Sequence, residues 1–227
     1  GGPGYAHYRW MRRYVARFGA PARGARILDF GCGTGWVGIE AAQAFGAAEL
    51  ALFDPSPAMV RLAGDNARAS GIERFEARTG FGEAPPFEQT FDYVVSSGVA
   101  SFAPDLEVWL DGLARTVRPG GELVVGDLNP GSKGMLRRRA QRPLLPSREM
   151  NGQEAAAVRA ALERRGFRHL RTAGYQLTWP VPEAMHWSDA RLGGALGPVL
   201  LAWNRLRAGS AALAAFDSWV MRFTRAG

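Results

Sequence analysis

The run Ile27-Leu28-Asp29-Phe30-Gly31-Cys32-Gly33-Thr34-Gly35-Trp36-Val37-Gly38 constrains the fold more than any other part of the chain. A buried strand enters a turn with glycine at alternate positions, and a helical pattern follows at once. Glycine lets the backbone take positive φ and lets a ligand approach without a Cβ in the way. The helix beyond the turn aims its free amide groups and positive dipole end at whatever lies there. The run therefore predicts an α/β chain with a nucleotide-type corner. Its spacing Gly33-x-Gly35-x-x-Gly38 also satisfies the loose dinucleotide pattern of dehydrogenases, so the glycines alone do not choose the ligand.

The flanking residues narrow the choice. In the dinucleotide fingerprint an apolar strand runs straight into the first glycine, whereas here Asp29 ends the strand two residues before Gly31. A carboxylate facing the pocket favours a cation or an ammonium group. Glu49-Leu50-Ala51-Leu52-Phe53 reads as a second strand ending at Asp54, roughly 20 residues past the turn, where an acid receives ribose hydroxyls. Further strands follow at Phe91-Asp92-Tyr93-Val94-Val95-Ser96-Ser97 and, after a helix-ending Pro119-Gly120-Gly121, at Glu122-Leu123-Val124-Val125.

Four motifs in order resemble the class I S-adenosylmethionine-dependent methyltransferases: Leu28-Asp29-x-Gly31-Cys32-Gly33-Thr34-Gly35, Asp54-x-Ser56-x-x-Met59, Phe91-Asp92-x-Val94 and Arg118-Pro119-Gly120-Gly121-Glu122-Leu123. Within that superfamily the chain looks most like the small-molecule branch of quinone-biosynthesis and natural-product (secondary-metabolism) enzymes. The resemblance implies S-adenosyl-L-methionine as cofactor and a Rossmann-like, doubly wound seven-stranded sheet in the order 3-2-1-4-5-7-6, its last strand antiparallel. It implies that Gly31, Gly33 and Gly35, with Cys32 among them, line the methionine part, and that Asp29 contacts the cofactor's amino group. Asp54 would take both ribose hydroxyls, Pro55, Ser56 and Met59 the adenine side, and Ser97 the region under the sulfonium. Many relatives carry an Asp in a Gly-Asp-Ala-Glu run to hold the adenine amino group; here Gly80-Phe81-Gly82-Glu83 stands. A backbone carbonyl near Gly82, the carboxylate of Glu83, or packing of Phe81 on the adenine would replace it.

At 227 residues the chain is read as one methyltransferase domain, with an N-terminal helix at 5–18, a cofactor-binding core at 25–127 and a lid insertion at 179–217. Helices are expected at 36–46, 57–70, 105–116 and from a capping Asn151 to Arg165. Strands are expected at 25–30, 49–53, 73–79, 91–96, 121–127, 167–178 and 218–224. The lid is rich in tryptophan, leucine, glycine and proline and is read as a helical cover or a homodimer surface. Its apolar run is interrupted at Gly197-Pro198 and flanked by arginines, so a membrane span is not expected. A single cysteine excludes an internal disulfide, and nothing points to an oxidising compartment; a cytoplasmic location is expected. The net charge of +7 is almost all arginine, with Lys133 the one lysine. The cluster Arg137-Arg138-Arg139 with Arg142 reads as a solvated helix face; no aromatic residue lies among the arginines to stack on bases, so a nucleic-acid partner is disfavoured.

A small-molecule acceptor is expected, apolar or aromatic if the lid tryptophans Trp179, Trp187 and Trp203 face the pocket rather than the core. Its walls would be the first helix, the loop after the fourth strand, the segment after Asp127 and the lid. Candidate bases are His7, His186 and Asp127, histidine being apt because it titrates near neutrality; no metal site is read. The favoured activity is methyl transfer to oxygen or carbon. Competing readings are an RNA or protein methyltransferase, a non-methylating use of the fold, and a dehydrogenase.

Overall fold

In the computed structural model, residues 3–141, 152–179 and 190–227 are described. The strands are β1 (Arg26–Phe30), β2 (Glu49–Asp54), β3 (Phe75–Thr79), β4 (Phe91–Ser97), β5 (Val117–Leu128), β6 (Phe167–Leu177) and β7 (Phe216–Arg225). They form one sheet in the order β3-β2-β1-β4-β5-β7-β6. The first five run parallel, and β7 pairs antiparallel with both β5 and β6, as the resemblance implied. The helices are α1 (Pro3–Ala16), α2 (Trp36–Phe45), α3 (Pro57–Ala69), α4 (Leu106–Thr116), α5 (Lys133–Gln141), α6 (Ala155–Arg164) and α7 (Ala190–Arg207).

The two-residue period of the strands sorts their side chains to the two faces of the sheet. Leu28, Phe30, Val94, Leu123 and Val125 join Trp109, Leu110 and Leu113 of α4 and Val158 and Leu162 of α6 in one core. Ile27, Tyr93, Val95 and Val124 join Val15 of α1, Ile39 of α2 and Ala63 of α3 in the other. Asp29 shares the second face with Ile27, which brings it against α2; Asp127 shares the first with Val125.

Several expected boundaries move. β5 begins at Val117 rather than near Gly121: Phe91 pairs with Val117, the register then shifts, and Tyr93 pairs with Glu122, so Pro119-Gly120-Gly121 is taken up as an irregularity. α6 is capped at Glu154, whose side chain makes no capping bond; Asn151 lies outside the described residues. α7 runs straight through Gly197-Pro198, which breaks the apolar run without ending the helix. Pro198 sits on the exposed side, where water can take over the bond its missing N–H would have made.

Candidate cofactor and acceptor site

The glycine turn is held by its neighbours on three sides. Gly31, Gly33 and Gly35 have φ of 76°, 52° and 80°, conformations that only glycine adopts at little cost. Cys32 N–H donates to the Phe53 carbonyl at 2.8 Å, and Asn66 Nδ2 of α3 donates to the Thr34 carbonyl at 2.9 Å. Asp54 completes the frame: its Oδ2 accepts from Gly33 N–H at 2.9 Å and its Oδ1 from Ser56 N–H at 3.0 Å. Ser56 in turn caps α3, accepting from Met59 N–H at 3.4 Å, with Pro57 in the first helical turn. Pro55 is exposed beside them.

Asp29 is buried under this turn. Its Oδ2 accepts from Gly38 N–H at 2.7 Å, so it satisfies an amide in the first turn of α2, whose own cap residue, Gly35, offers no side chain. Burial raises the carboxyl to about 7; the Gly38 bond opposes the rise and the Asp54 charge adds to it. Cys32 is buried too, and burial followed by the charges of Asp29 and Asp54 pushes its thiol up, far from a reactive thiolate.

Two glycines leave free space where a ligand needs it. A Cβ built on Gly33 or on Gly98, just past β4, would meet nothing within 4 Å. Between them lie the C-terminal ends of β1 and β4, with Ser97 half-buried and Ser96 Oγ donating to the Phe30 carbonyl at 2.9 Å. On the adenine side, Gly80 N–H bonds to the Asp54 carbonyl at 3.2 Å and brings the following loop beside that acid. The three substitutes for the missing Asp are now distinguishable. The Gly82 carbonyl abuts Gly112 of α4, so it is turned away from the cleft; the Glu83 carbonyl accepts from Arg115. Phe81 stands 65% exposed. Of the sequence alternatives, the Gly82 carbonyl is the one this geometry removes.

The helix expected to wall the acceptor, α1, packs across the sheet next to the glycine turn. Its Ala16 carbonyl accepts from Tyr93 Oη at 3.0 Å, Val15 lies against Gly126, and the Arg12 guanidinium sits over the Trp36 ring, 5.3 Å from its centroid. At 1.5 Å per residue His7 is about 12 Å beyond Val15 along the helix axis, so it overhangs the C-terminal ends of the strands. His7 is only 4% exposed, and neither ring nitrogen has a hydrogen-bond partner among the described residues. Its ring lies 5.9 Å from that of Trp10. Burial, then the charge of Arg205 on α7, lowers it to about 4, so it is neutral at ordinary pH.

The other two candidate bases fare differently. Asp127 is buried at the end of β5, where its Oδ2 accepts from Ser101 N–H at 3.0 Å and its Oδ1 from Leu128 N–H at 2.6 Å. It ties the loop after β4 to the end of β5, and burial raises its carboxyl above the usual range. His186 lies outside the described residues, as does Trp187. Trp179 and Trp203, expected in the core or the pocket, are 65% and 47% exposed. The sequence reading also missed Arg12, whose Nε is buried without a partner among the described residues, and Tyr175 of β6, whose hydroxyl interacts with Ser218 and Ser97. Neither residue belongs to a spacing pattern, and only the folded chain brings them to the cleft.

An open glycine cradle flanked by two acids, at the C-terminal edge of a sheet whose last strand is reversed, defines the methyltransferase variety of nucleotide-cofactor fold. The family described as "Methyltransferase domain" matches residues 27–121. A ubiquinone biosynthesis O-methyltransferase of Rhizobium johnstonii is 36% identical over 110 residues, 48% of this chain and 43% of that protein, so the chain spans less than half the length of that relative. Two solved structures share the fold over nearly the whole chain. A methyltransferase of Haloferax volcanii, in complex with its activator Trm112, gives a TM-score of 0.68 at 17% identity, covering 98% of this chain and 91% of that one. Geranyl diphosphate methyltransferase in complex with S-adenosylmethionine gives 0.65 at 19% identity, covering 96% and 85%. Residues 27–121 carry the methyltransferase domain, and the fold over nearly the whole chain is that of the class I S-adenosylmethionine-dependent methyltransferases. The open space at Gly33 and Gly98 beside Asp54 suits the S-adenosylmethionine that the geranyl diphosphate enzyme binds.

Proposed function

We propose that this protein transfers a methyl group to an oxygen or carbon of a small, lipophilic or aromatic acceptor that carries an acidic hydroxyl. The observation that carries the acceptor class is His7: a buried imidazole with both nitrogens unpartnered among the described residues, on the helix that overhangs the cofactor cleft. Such a group is costly to bury unless something in the functional state bonds to it. A neutral imidazole both donates and accepts, which matches a hydroxyl. The name of one relative, a ubiquinone biosynthesis O-methyltransferase, supports transfer to oxygen.

When bound, the cofactor supplies an electrophilic methyl group on a sulfonium. Asp54 would accept from its ribose hydroxyls, Asp29 would face its ammonium, Phe81 would pack on its adenine, and the unpartnered Nε of Arg12 is available to its carboxylate. Ser97 and Gly98 would border the transferred group. The protein's contribution is then alignment and exclusion of water, which lower the barrier by removing motional freedom in advance. His7 accepts the hydrogen bond of the acceptor's hydroxyl and orients its oxygen. Proton uptake by His7 is disfavoured by burial and by Arg205, so the hydroxyl proton leaves to water as the methyl group is transferred, which a phenol or enol allows more readily than an alcohol.

Tritium-labelled S-adenosylmethionine incubated with panels of phenols and quinols, aliphatic alcohols, bulk RNA and histone peptides tests this reading. Label in the phenol or quinol fraction is expected, with turnover lost in His7→Phe. Label found only in RNA or protein, or no label anywhere despite cofactor binding, would overturn it.

A further inference from the structure

We propose that the outward face of α7 is a docking surface for an anionic lipid bilayer, on which the protein rests without crossing it. Four large apolar side chains of this helix are exposed: Leu196 (43%), Val199 (62%), Trp203 (47%) and Leu206 (77%). Their spacing of three, four and three residues puts them within an arc of about 80° at 100° per residue, so they form one stripe. The opposite side of the helix is fixed to the protein. Asn204 is fully buried, accepts from Leu177 N–H at 2.8 Å and donates to the Tyr175 carbonyl at 3.0 Å, locking the last turns of α7 onto β6. The stripe therefore cannot turn inward to join a core.

The charges beside the stripe choose its occupant. α7 contains no acidic residue in its 18 positions, and its charged residues are Arg191, Arg205 and Arg207. Arg207 lies over the Trp203 ring at 5.8 Å, the pairing of an aromatic ring and a cation that suits a headgroup boundary. α5, which also follows a C-terminal strand end, likewise has no acid in its sequence, and it exposes Leu136. A second copy docked through α7 would bring arginines against arginines with no carboxylate on either helix to offset them. An anionic lipid surface receives both the apolar stripe and its cationic border. No described helix is long and apolar enough to cross a membrane, so the contact is interfacial. Because α7 also packs on α1, the bilayer would lie beside the helix that carries His7.

Co-sedimentation of the full chain with phosphatidylglycerol vesicles and with phosphatidylcholine vesicles tests the proposal. Binding to the first and much weaker binding to the second is expected, falling as salt is raised. The double variant Trp203→Glu, Leu206→Glu is expected to lose at least about tenfold in vesicle affinity while its affinity for S-adenosylmethionine is unchanged. Should that variant not fold, the fluorescence of the native chain serves: a blue shift with phosphatidylglycerol vesicles that Trp203→Phe abolishes. Equal binding to both vesicle types, binding that the double Glu variant leaves intact, a blue shift that Trp203→Phe leaves intact, or a stripe-dependent dimer with no vesicle binding would each overturn it.

Discussion

Asp54 accepts from Gly33 N–H at 2.9 Å, so the acid at the end of β2 also holds the glycine turn between β1 and α2 in shape. Its second oxygen is committed to Ser56 N–H at 3.0 Å, at the cap of α3. Removing the carboxylate thus loosens the turn and also removes the proposed ribose contact. Asp54→Ala is expected to lower S-adenosylmethionine affinity about 100-fold, the scale of charge-assisted hydrogen bonds, and to lower the melting temperature by a few degrees. Asp54→Asn, which keeps one acceptor, is expected to lose less of both. Titration calorimetry and thermal melts of the two variants check this; equal affinities for native and Ala proteins would show that another acid receives the ribose.

The proposed contact of Asp29 with the cofactor's ammonium group would give the cofactor equilibrium a pH dependence. Its carboxyl titrates near 7 in the free protein, chiefly because it is buried, and a nearby ammonium group favours its ionised form. Cofactor affinity is therefore expected to rise with pH between about 6 and 8, with proton release, and the slope is expected to vanish in Asp29→Asn. Calorimetry in buffers of different ionisation enthalpy measures the proton count directly.

His7 shifts in the opposite sense, and so does its effect on stability. Its folded value of about 4 lies below the ordinary 6.5, so the unfolded chain binds the extra proton between those limits. Its contribution is complete above about pH 6.5 and is lost as pH falls toward 4. Asp29, raised in the fold, contributes a slope of the other sign over an overlapping range, so single variants are needed to separate them. His7→Gln should remain less sensitive to acid than the native chain in thermal melts between pH 6.5 and 4; an unchanged slope would contradict the buried, neutral assignment.

Two glycines of the same motif are expected to fail differently. A Cβ at Gly38 would lie 2.7 Å from the Asp29 Cβ and 3.1 Å from Leu50 Cδ1, contacts that a packed strand cannot relieve. Gly38→Ala is expected to cost about 2 kcal/mol of stability, or roughly 4 to 8 °C in melting temperature. A Cβ at Gly33 meets nothing, so Gly33→Ala carries only the strain of a positive φ and is expected to act mainly by filling cofactor space. Melts and cofactor titrations of the pair distinguish packing from binding.

What was legible in the sequence was local. The strand–turn–helix of residues 26–45 and the acid at the end of β2 follow from glycine spacing and apolar period, and the motif resemblance supplied the strand order that periodicity does not encode. β5 was read short because Pro119-Gly120-Gly121 has the composition of a turn, whereas pairing with Phe91 keeps Val117 in the sheet. Asp127 reads from the sequence as a candidate base; its partner Ser101 is 26 residues away, and that contact exists only once β4 and β5 are side by side. The lid tryptophans are expected from the sequence in the core or facing the pocket; Trp203 instead turns outward beside Asn204, which is buried and bonded to β6.

The central claim, that the cleft between Gly33, Asp54 and Gly98 receives S-adenosylmethionine, is tested most directly by titration calorimetry of the native chain with S-adenosylmethionine and with NADH. One S-adenosylmethionine per chain, bound more tightly than NADH and weakened about 100-fold by Asp54→Ala, is the expected result; tighter binding of NADH would contradict it.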